Sequence, residues 1–221
     1  MNNDFRNYAI SKGINGCTFD DYFRKNNVIS PSIVEERSLN TVTIDIFSAL
    51  IKERIIYLGT AIDNEVSNII TSQLMYLDMS DDENDIKLFI NSPGGDVDSG
   101  LAIYDVMNWV KSDVATYSMG MSASMGSVLL SSGTKGKRFS LPHSRIMIHQ
   151  VSGWAGGPFA DMKIWTDEIK KSQNDLYRIL SENTGKSIEQ IEADADRDHW
   201  FNAQEAVEYG IIDKIMSRKC E

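Results

Sequence analysis

The sequence contains few cysteines, histidines and prolines. Its 221 residues include 2 cysteines, 3 histidines and 4 prolines. The cysteines, Cys17 and Cys220, stand near opposite ends and form no CxxC pair, so the sequence suggests neither a disulfide framework nor a zinc site. This cysteine usage is compatible with a reducing compartment, and we expect a cytoplasmic protein.

Long apolar runs and basic clusters are also missing. No run approaches the roughly 18 apolar residues that a membrane-spanning helix needs. The opening residues, "MNNDFRNYAI", lack the basic and apolar regions of a secretory signal. The 22 Lys and Arg residues are scattered, and 32 Asp and Glu residues give a net charge of -10. We therefore expect no membrane partner and no nucleic-acid partner.

Apolar side chains are plentiful enough for one substantial core. Hydrophobic residues make up 42% of the chain and charged residues 24%, which predicts one globular domain with a modest appendage. Residues 1–28 are polar and show little periodicity, and Pro31 follows them. We interpret residues 1–28 as an N-terminal extension, either flexible or a removable propeptide, and residues 29–221 as the folded domain.

Helical and strand-like segments alternate from about residue 41 onward. Buried strands are predicted at "RIIYLG", "DIKLFINS" and "VATYSMG", and helices at "NEVSNIITSQLMYLDMS" and from about residue 160 to Gly185. Asp98 is the predicted N-cap of the helix that follows the "PGG" turn. This alternation predicts an α/β domain with parallel strands.

Two serines stand where a predicted strand gives way to a helix, in "GMSASMGS". A serine hydroxyl attacks an acyl carbon only with an adjacent base, and that base needs an orienting group. Gly126 leaves room for close backbone approach near Ser124, whereas Ser122 has no glycine two residues on, so the spacing favours Ser124 as a nucleophile. Because Ser122 replaces the first glycine of a G-x-S-x-G elbow, ordinary packing of small residues stays open as the alternative.

A base and an oxyanion donor are also available. His149 ends the strand "RIMIH", and strand ends are the usual place for chemistry in α/β proteins. His143 is predicted at the surface, and His199, among charged residues, is predicted to be solvated or capping. Gly95 in "NSPGGDV" forms either a plain tight turn or a turn whose amide stabilises an oxyanion.

Five segments occur together in one order: "INSPGG", "ASMG", "GKRF", "LPHSRIMIHQ" and "AQEAVEYGIID". From about residue 30 onward, the chain closely resembles the ClpP family, the proteolytic subunits of the Clp protease. The resemblance implies the ClpP/crotonase fold, a repeated β-β-α superhelix with a protruding handle helix from about residue 160. It also implies an ATP-dependent serine endopeptidase that hydrolyses unfolded proteins inside a ring chamber.

The same resemblance implies a set of site residues. The nucleophile falls on Ser124, the base on His149 and the orienting acid on Asp198. The oxyanion hole falls on the backbone amides of Gly95 and Met125. Spacing alone does not separate Asp198 from the two other aspartates of "ADADRD".

Partners follow from the resemblance as well. It implies two stacked heptameric rings and an AAA+ unfoldase such as ClpX, ClpA or ClpC. ATP is used by that unfoldase, so this chain is expected to need no cofactor, and no metal is expected. The implied docking cleft comprises six apolar or aromatic positions: Phe89, Trp109, Tyr117, Met119, Leu141 and Met216. For each position, the alternative interpretation is that the side chain belongs to the hydrophobic core.

Four positions depart from the family pattern: Lys87, Asp96, Ser122 and Val151. Asp96, beside the oxyanion glycine, either disfavours acidic substrates or points to solvent. These departures keep open a second interpretation, a paralogous subunit with a structural role in a mixed ring, whose signature would be a lost triad member. A third interpretation is a crotonase-like acyl-CoA enzyme, which would have the oxyanion amides but not the Ser-His-Asp triad.

Overall fold

The computed structural model describes residues 32–37 and 40–217. The predicted boundary between residues 28 and 29 lies outside these residues and stays a prediction. The strands of the described part are β1 Ser32–Arg37, β2 Asn40–Asp45, β3 Ile55–Leu58, β4 Ile86–Ser92, β5 Val114–Ala123, β6 Arg138–Ser140, β7 Arg145–Ile148, β8 His199–Phe201 and β9 Lys214–Ile215. The helices are α1 Ile46–Lys52, α2 Asn64–Ser80, α3 Val97–Trp109, α4 Met125–Ser131, α5 Phe159–Thr184, α6 Ile188–Asp194 and α7 Ala203–Tyr209.

The chain divides into two compact units, one ending at Leu50 and one beginning at Ile51. In the first unit, β1 and β2 form an antiparallel pair with Arg37 opposite Asn40. The second unit holds the remaining strands, in one sheet of seven. All the functional residues predicted from the sequence lie in this second unit.

The seven-stranded sheet is mostly parallel. Its strands lie in the order β3, β4, β5, β6, β9, all parallel to their neighbours, while β7 pairs with β5 and, antiparallel, with β8. Parallel neighbours require crossover connections, and helices such as α2 and α3 supply them here. The α/β class predicted from the alternating pattern is confirmed.

Strand β5 changes partner along its length. Its first half, around Tyr117, pairs with β6, and its last three residues pair with β7. Between the halves, Gly120 has a φ of 74°, and a Cβ there would lie 2.7 Å from the side-chain oxygen of Asn91. That oxygen accepts a hydrogen bond from the amide of Met121, 3.1 Å away. A glycine is therefore needed where β5 turns towards β7.

The core of the second unit lies between the sheet and its crossover helices. The helical spacing of α2 predicts one apolar stripe, formed by Val66, Ile69, Ile70, Leu74 and Leu77. Ile70, Leu74 and Leu77 are buried, whereas the prediction is wrong for Ile69, which is exposed. In α3 the predicted N-cap is wrong, because the helix begins earlier and Asp96 accepts the capping hydrogen bond. Other fully buried large side chains include Ile56, Leu58, Ile86, Leu88, Ile90, Ile103, Met125, Leu129, Leu130, Ile146 and Ile148.

The long helix predicted from about residue 160 is α5, which has 26 residues. It ends at Gly185, whose φ of 75° is the left-handed conformation that glycine adopts freely. Leu176 and Leu180 near its end are buried, while Trp165 in its first half is 59% exposed. Within residues 32–37 and 40–217, no helix has both the length and the apolarity needed to span a membrane.

Candidate active site

The pairing of β5 with β7 brings the candidate nucleophile and base together. Ser124 directly follows β5, and His149 directly follows β7. In the parallel pair, Ala123 lies opposite Met147, and the Ser124 amide donates to the Met147 carbonyl at 2.9 Å. Because both strands end at the same level, Oγ of Ser124 lies 2.8 Å from Nε2 of His149.

The candidate orienting acid comes from the start of the antiparallel strand β8. Ile148 pairs with His199, so the residue before β8 lies beside the residue after β7. Oδ1 of Asp198 accordingly lies 3.0 Å from Nδ1 of His149. One ring nitrogen contacts a hydroxyl and the other a carboxylate, which is the geometry that lets an imidazole accept a proton while an acid fixes its tautomer.

The two neighbouring aspartates have other partners. Asp194 accepts hydrogen bonds from the Tyr209 hydroxyl at 2.7 Å and from Nε2 of Gln190 at 2.9 Å. Partial burial opposes ionisation of Asp194, but these two hydrogen bonds, together with attraction to His199 and Lys186, outweigh it and lower its pKa. The carboxylate of Asp196 lies 3.7 Å from Nε of Arg197, and both side chains are exposed. Of the three aspartates, only Asp198 therefore contacts the histidine.

Ser124 has an unusual backbone conformation. Its φ is 53° and its ψ is -124°, and a residue with a Cβ rarely adopts a positive φ. It occupies the N-cap position of α4, yet its side chain makes no capping hydrogen bond there. The hydroxyl is thus directed at His149, and the local backbone strain is of the kind that clusters at functional sites.

The two candidate oxyanion residues share a cavity with the serine and the histidine. Gly95 and Met125 line it together with Ser124 and His149. Met125 is the first residue of α4, so its amide has no intrahelical acceptor. Within the described part of the chain, neither the Gly95 nor the Met125 amide donates to another protein group. Both amides are therefore available to a ligand, and their role in binding an oxyanion stays a prediction.

The same cavity has an apolar wall that the sequence analysis did not connect with the site. Leu176 and Leu180 were predicted only as part of a helical stripe on α5. Burial raises the pKa of the Tyr177 phenol in this wall, which keeps it neutral. Besides Met125, the apolar lining consists of Val97, Val128, Ile148, Val151, Leu176, Tyr177 and Leu180.

The six predicted docking positions are not part of the core. Phe89 and Tyr117 stack at 4.5 Å between ring centroids, and Phe139 stacks on the other side of Tyr117 at 4.9 Å. Because all six side chains are at least partly exposed, the alternative that they are core residues is wrong, while their docking role stays a prediction. All six are partly or largely exposed: Phe89, Trp109, Tyr117, Met119, Leu141 and Met216.

Two of the departures from the family pattern have structural explanations. Ser122 is buried, and its hydroxyl lies 2.8 Å from the hydroxyl of Ser118, so it is an internal hydrogen-bonding residue. Asp96 caps α3 by accepting from the Ser99 amide at 2.8 Å. Asp96 also lines a second cavity. Gly95 lines both this cavity and the one that contains Ser124 and His149. Asp96 thus lies beside the proposed oxyanion turn.

The remaining histidines, His143 and His199, are not members of the proposed triad. His143 is exposed, as predicted. The prediction of a solvated or capping His199 is wrong, since this residue begins β8 and its ring stacks on Phe201 at 4.4 Å. Across residues 32–37 and 40–217, no group of three or more His, Cys, Asp or Glu side chains is arranged to hold a metal ion.

Comparison with known proteins accounts for this geometry. The sequence profile described as Clp protease matches residues 38–219 of the chain. The chain belongs to the Clp protease family. The fold implied by the resemblance is thereby confirmed, as is the enzyme class, because this family is one of serine peptidases.

Individual Clp protease relatives are similar over nearly their whole length. An ATP-dependent Clp protease proteolytic subunit of Porphyromonas gingivalis strain W83 is 51% identical over 218 residues, covering 98% of both chains. Subunits of the same name from Bacteroides fragilis strain YCH46 and Bacteroides thetaiotaomicron are 49% and 47% identical, each covering 98% of this chain and 99% of the relative. The match therefore includes every segment of the candidate Clp protease site.

One contact near this Clp protease site was missed by the sequence analysis. The side-chain amide of Gln150 donates to the backbone carbonyl of Asp196 at 2.6 Å. Gln150 follows His149 directly, and its position beside the histidine is the only feature of the sequence that draws attention to it. The contact is long-range, so no local pattern predicts it.

Proposed function

We propose that this chain is the proteolytic subunit of an ATP-dependent Clp protease, a serine endopeptidase that hydrolyses peptide bonds of unfolded proteins. The observation that carries the proposal is the hydrogen-bonded series from Ser124 to His149 at 2.8 Å and from His149 to Asp198 at 3.0 Å. The names of the relatives in Porphyromonas and Bacteroides support the ATP-dependent context.

In the proposed reaction, Oγ of Ser124 attacks the carbonyl carbon of a peptide bond while Nε2 of His149 takes the hydroxyl proton. Asp198 holds the imidazole in the required tautomer and stabilises the imidazolium. The amides of Gly95 and Met125 donate to the negative oxygen of the tetrahedral intermediate. Collapse of this intermediate breaks the C–N bond, and His149 delivers its proton to the leaving amine.

The acyl-enzyme is then hydrolysed by the same groups. A water molecule attacks the ester carbon between substrate and Ser124, and His149 accepts its proton. When the second tetrahedral intermediate collapses, that proton returns to Oγ of Ser124 and the substrate leaves as a carboxylic acid. Peptide hydrolysis in this scheme uses no cofactor of the chain itself, and ATP is consumed by a partner unfoldase.

The apolar wall of the cavity is the proposed binding site for a substrate side chain. Leu176, Tyr177 and Leu180 of α5 line the cavity that also holds Ser124 and His149. An apolar residue of the substrate that enters this wall is removed from water, and each buried methylene contributes about 0.8 kcal/mol. We therefore propose cleavage next to apolar residues, which unfolded proteins expose.

The proposed assembly is two stacked heptameric rings that enclose the sites, with α5 as the handle between the rings. The proposed partner is an AAA+ unfoldase such as ClpX, ClpA or ClpC, and the proposed location is the cytoplasm. The partly exposed aromatic stack of Phe89, Tyr117 and Phe139 supports a docking face on the sheet. The intact contacts of the triad argue against a purely structural subunit of a mixed ring.

A fluorophosphonate probe tests the proposed nucleophile. The purified chain is incubated with the probe, digested, and examined by mass spectrometry for the labelled peptide. We expect modification at Ser124 that disappears in Ser124→Ala. Ser122→Ala is the matched control, because Ser122 is buried and bonded to Ser118, so labelling at Ser124 is expected to persist. Labelling at Ser122, or none in the assembled particle, contradicts the proposal.

A further inference from the structure

The orienting acid of the proposed protease lies in an exposed segment with few contacts. The Asp198 side chain is 62% exposed. Among the described residues, His149 is the only side-chain partner of its carboxylate. A carboxylate in such a position keeps many rotamers. The backbone around Asp198 must therefore be held by further contacts if the carboxylate is to stay beside His149.

One side chain provides that restriction. Gln150 donates from Nε2 to the backbone carbonyl of Asp196 at 2.6 Å. It directly follows the base, and the carbonyl it contacts lies two residues before the acid. In the described residues, this bond and the His149 contact are the two hydrogen bonds that tie residues 196–198 to the rest of the chain. Building on the proposed function, we propose that Gln150 is a positioning residue that holds the Asp198 carboxylate against His149.

Neighbouring contacts fix the residues on either side of this segment, and Gln150 bonds to its first residue, Asp196. On one side, Ala195 is fully buried and its amide donates to the Ile191 carbonyl at 2.9 Å. On the other side, His199 is paired with Ile148 in the sheet. Between these anchors, the Gln150 amide is the group that reaches the backbone of the segment.

The test is the substitution Gln150→Met, which keeps the side-chain length and removes the donor. We expect kcat for a fluorogenic peptide to fall about tenfold, the value of one hydrogen bond, with KM nearly unchanged, since the triad acts on the transition state. Gln150→Glu keeps the shape but presents oxygen atoms to the Asp196 carbonyl, and it is expected to lose at least as much. Gln204→Met is the matched control, because the Gln204 amide donates only to Glu208 on the surface of α7.

A double substitution separates positioning from general destabilisation. In an Asp198→Ala background no carboxylate is left to position, so Gln150→Met is expected to cause no further fall in kcat. A structural defect would instead lower the residual activity in that background by the same factor. Unchanged kcat in Gln150→Met and Gln150→Glu, or an equal loss with and without Asp198, overturns the inference.

The same assays separate this inference from the proposed function. If Ser124→Ala keeps the wild-type activity, the proposed function fails. If Ser124→Ala is inactive while both Gln150 variants match Gln204→Met, the serine protease stands and only the positioning role fails.

Discussion

The amide of Ser124 donates to the carbonyl of Met147 over 2.9 Å. Met147 precedes His149 by two residues in the same extended segment. The separation of the two backbone segments that carry the candidate nucleophile and base is therefore set by a backbone hydrogen bond between two strand ends, and this separation does not depend on either side chain. Truncating either side chain should leave the backbone of the site in place.

The first prediction concerns cooperation within the triad. Ser124→Ala and His149→Ala should each lower kcat for peptide hydrolysis by about 10,000-fold or more, and the double variant should be no worse than either single one. The two groups act as one unit, since the base has no function without the hydroxyl it deprotonates. Steady-state kinetics measures the losses. Additive losses would show that the two residues act independently.

The second prediction concerns the oxyanion turn. Gly95 has a φ of 153°, and a Cβ there would lie 2.1 Å from the carbonyl oxygen of Ile62. Gly95→Ala must therefore shift the turn and its amide, and we expect kcat to fall about 100-fold or more. Gly185→Ala is the control: it also carries a positive φ but meets no neighbour within 4 Å, so it should cost about 1 kcal/mol of stability and leave kcat unchanged. Full activity of Gly95→Ala would remove this residue from the oxyanion hole.

The third prediction separates docking from catalysis. Tyr117 stacks between Phe89 and Phe139 on a partly exposed face of the sheet. Tyr117→Ala should abolish degradation of a folded protein in the presence of ATP and a cognate unfoldase, while hydrolysis of a short peptide continues. Tyr117→Phe keeps the stacked ring and should keep both activities. Equal loss of both activities in Tyr117→Ala would indicate a structural role instead.

A nearly buried ion pair joins the last strand to the rest of the second unit. The Arg138 guanidinium donates to both carboxylate oxygens of Asp213, at 2.9 and 2.7 Å, and to the carbonyls of Asn183 and Gly210, each at 2.9 Å. Partial burial opposes ionisation of Asp213, but the hydrogen bonds and the positive charge of Arg138, with a hydrogen bond from the Gly136 amide, outweigh it and lower its pKa. The charged form therefore stabilises the folded state.

The fourth prediction follows from this ion pair. Asp213→Asn should lower the free energy of unfolding near neutral pH by about 3 kcal/mol, because it leaves the Arg138 charge without its partner. Since the folded-state pKa of Asp213 is lowered, the stabilisation is complete above the ordinary value of 3.8 and is lost as the pH falls below it. Urea unfolding of both proteins between neutral and acidic pH measures the difference.

The control for this prediction is an exposed pair. Lys111 and Asp82 lie 3.1 Å apart with side chains 79% and 46% exposed. Asp82→Asn should change the unfolding free energy by less than about 1 kcal/mol. A loss in Asp213→Asn that is no larger than in Asp82→Asn would contradict the stabilising role.

Local sequence patterns predicted much of the fold, because the positions of helices and strands depend largely on nearby residues. The helical spacing and the terminal Gly185 were enough to place α5, and the apolar run before the "PGG" turn was enough to place β4. The N-cap of α3 was misplaced because two aspartates stand at alternate positions, and only the true start of the helix decides between Asp96 and Asp98.

The site was predictable to the extent that its residues stand at strand ends. Ser124 and His149 could be singled out by the turn and strand that carry them. Asp198 could not, because its contact with His149 depends on the pairing of β7 with β8, and nothing in the local sequence distinguishes three aspartates spaced two apart. Family resemblance pointed to the aspartate that contacts His149, whereas the contact of the Gln150 amide became visible only in three dimensions.

The same strand pairing determines when the proposed triad is completed during synthesis of the chain. Asp198 comes 49 residues after His149, and α5 and α6 must be made between them. In a nascent chain that ends at β7, Asp198 has not yet been made, so His149 lacks the carboxylate that it contacts in the folded domain. The proposed triad is therefore complete only after β8 has been synthesised and has paired with β7.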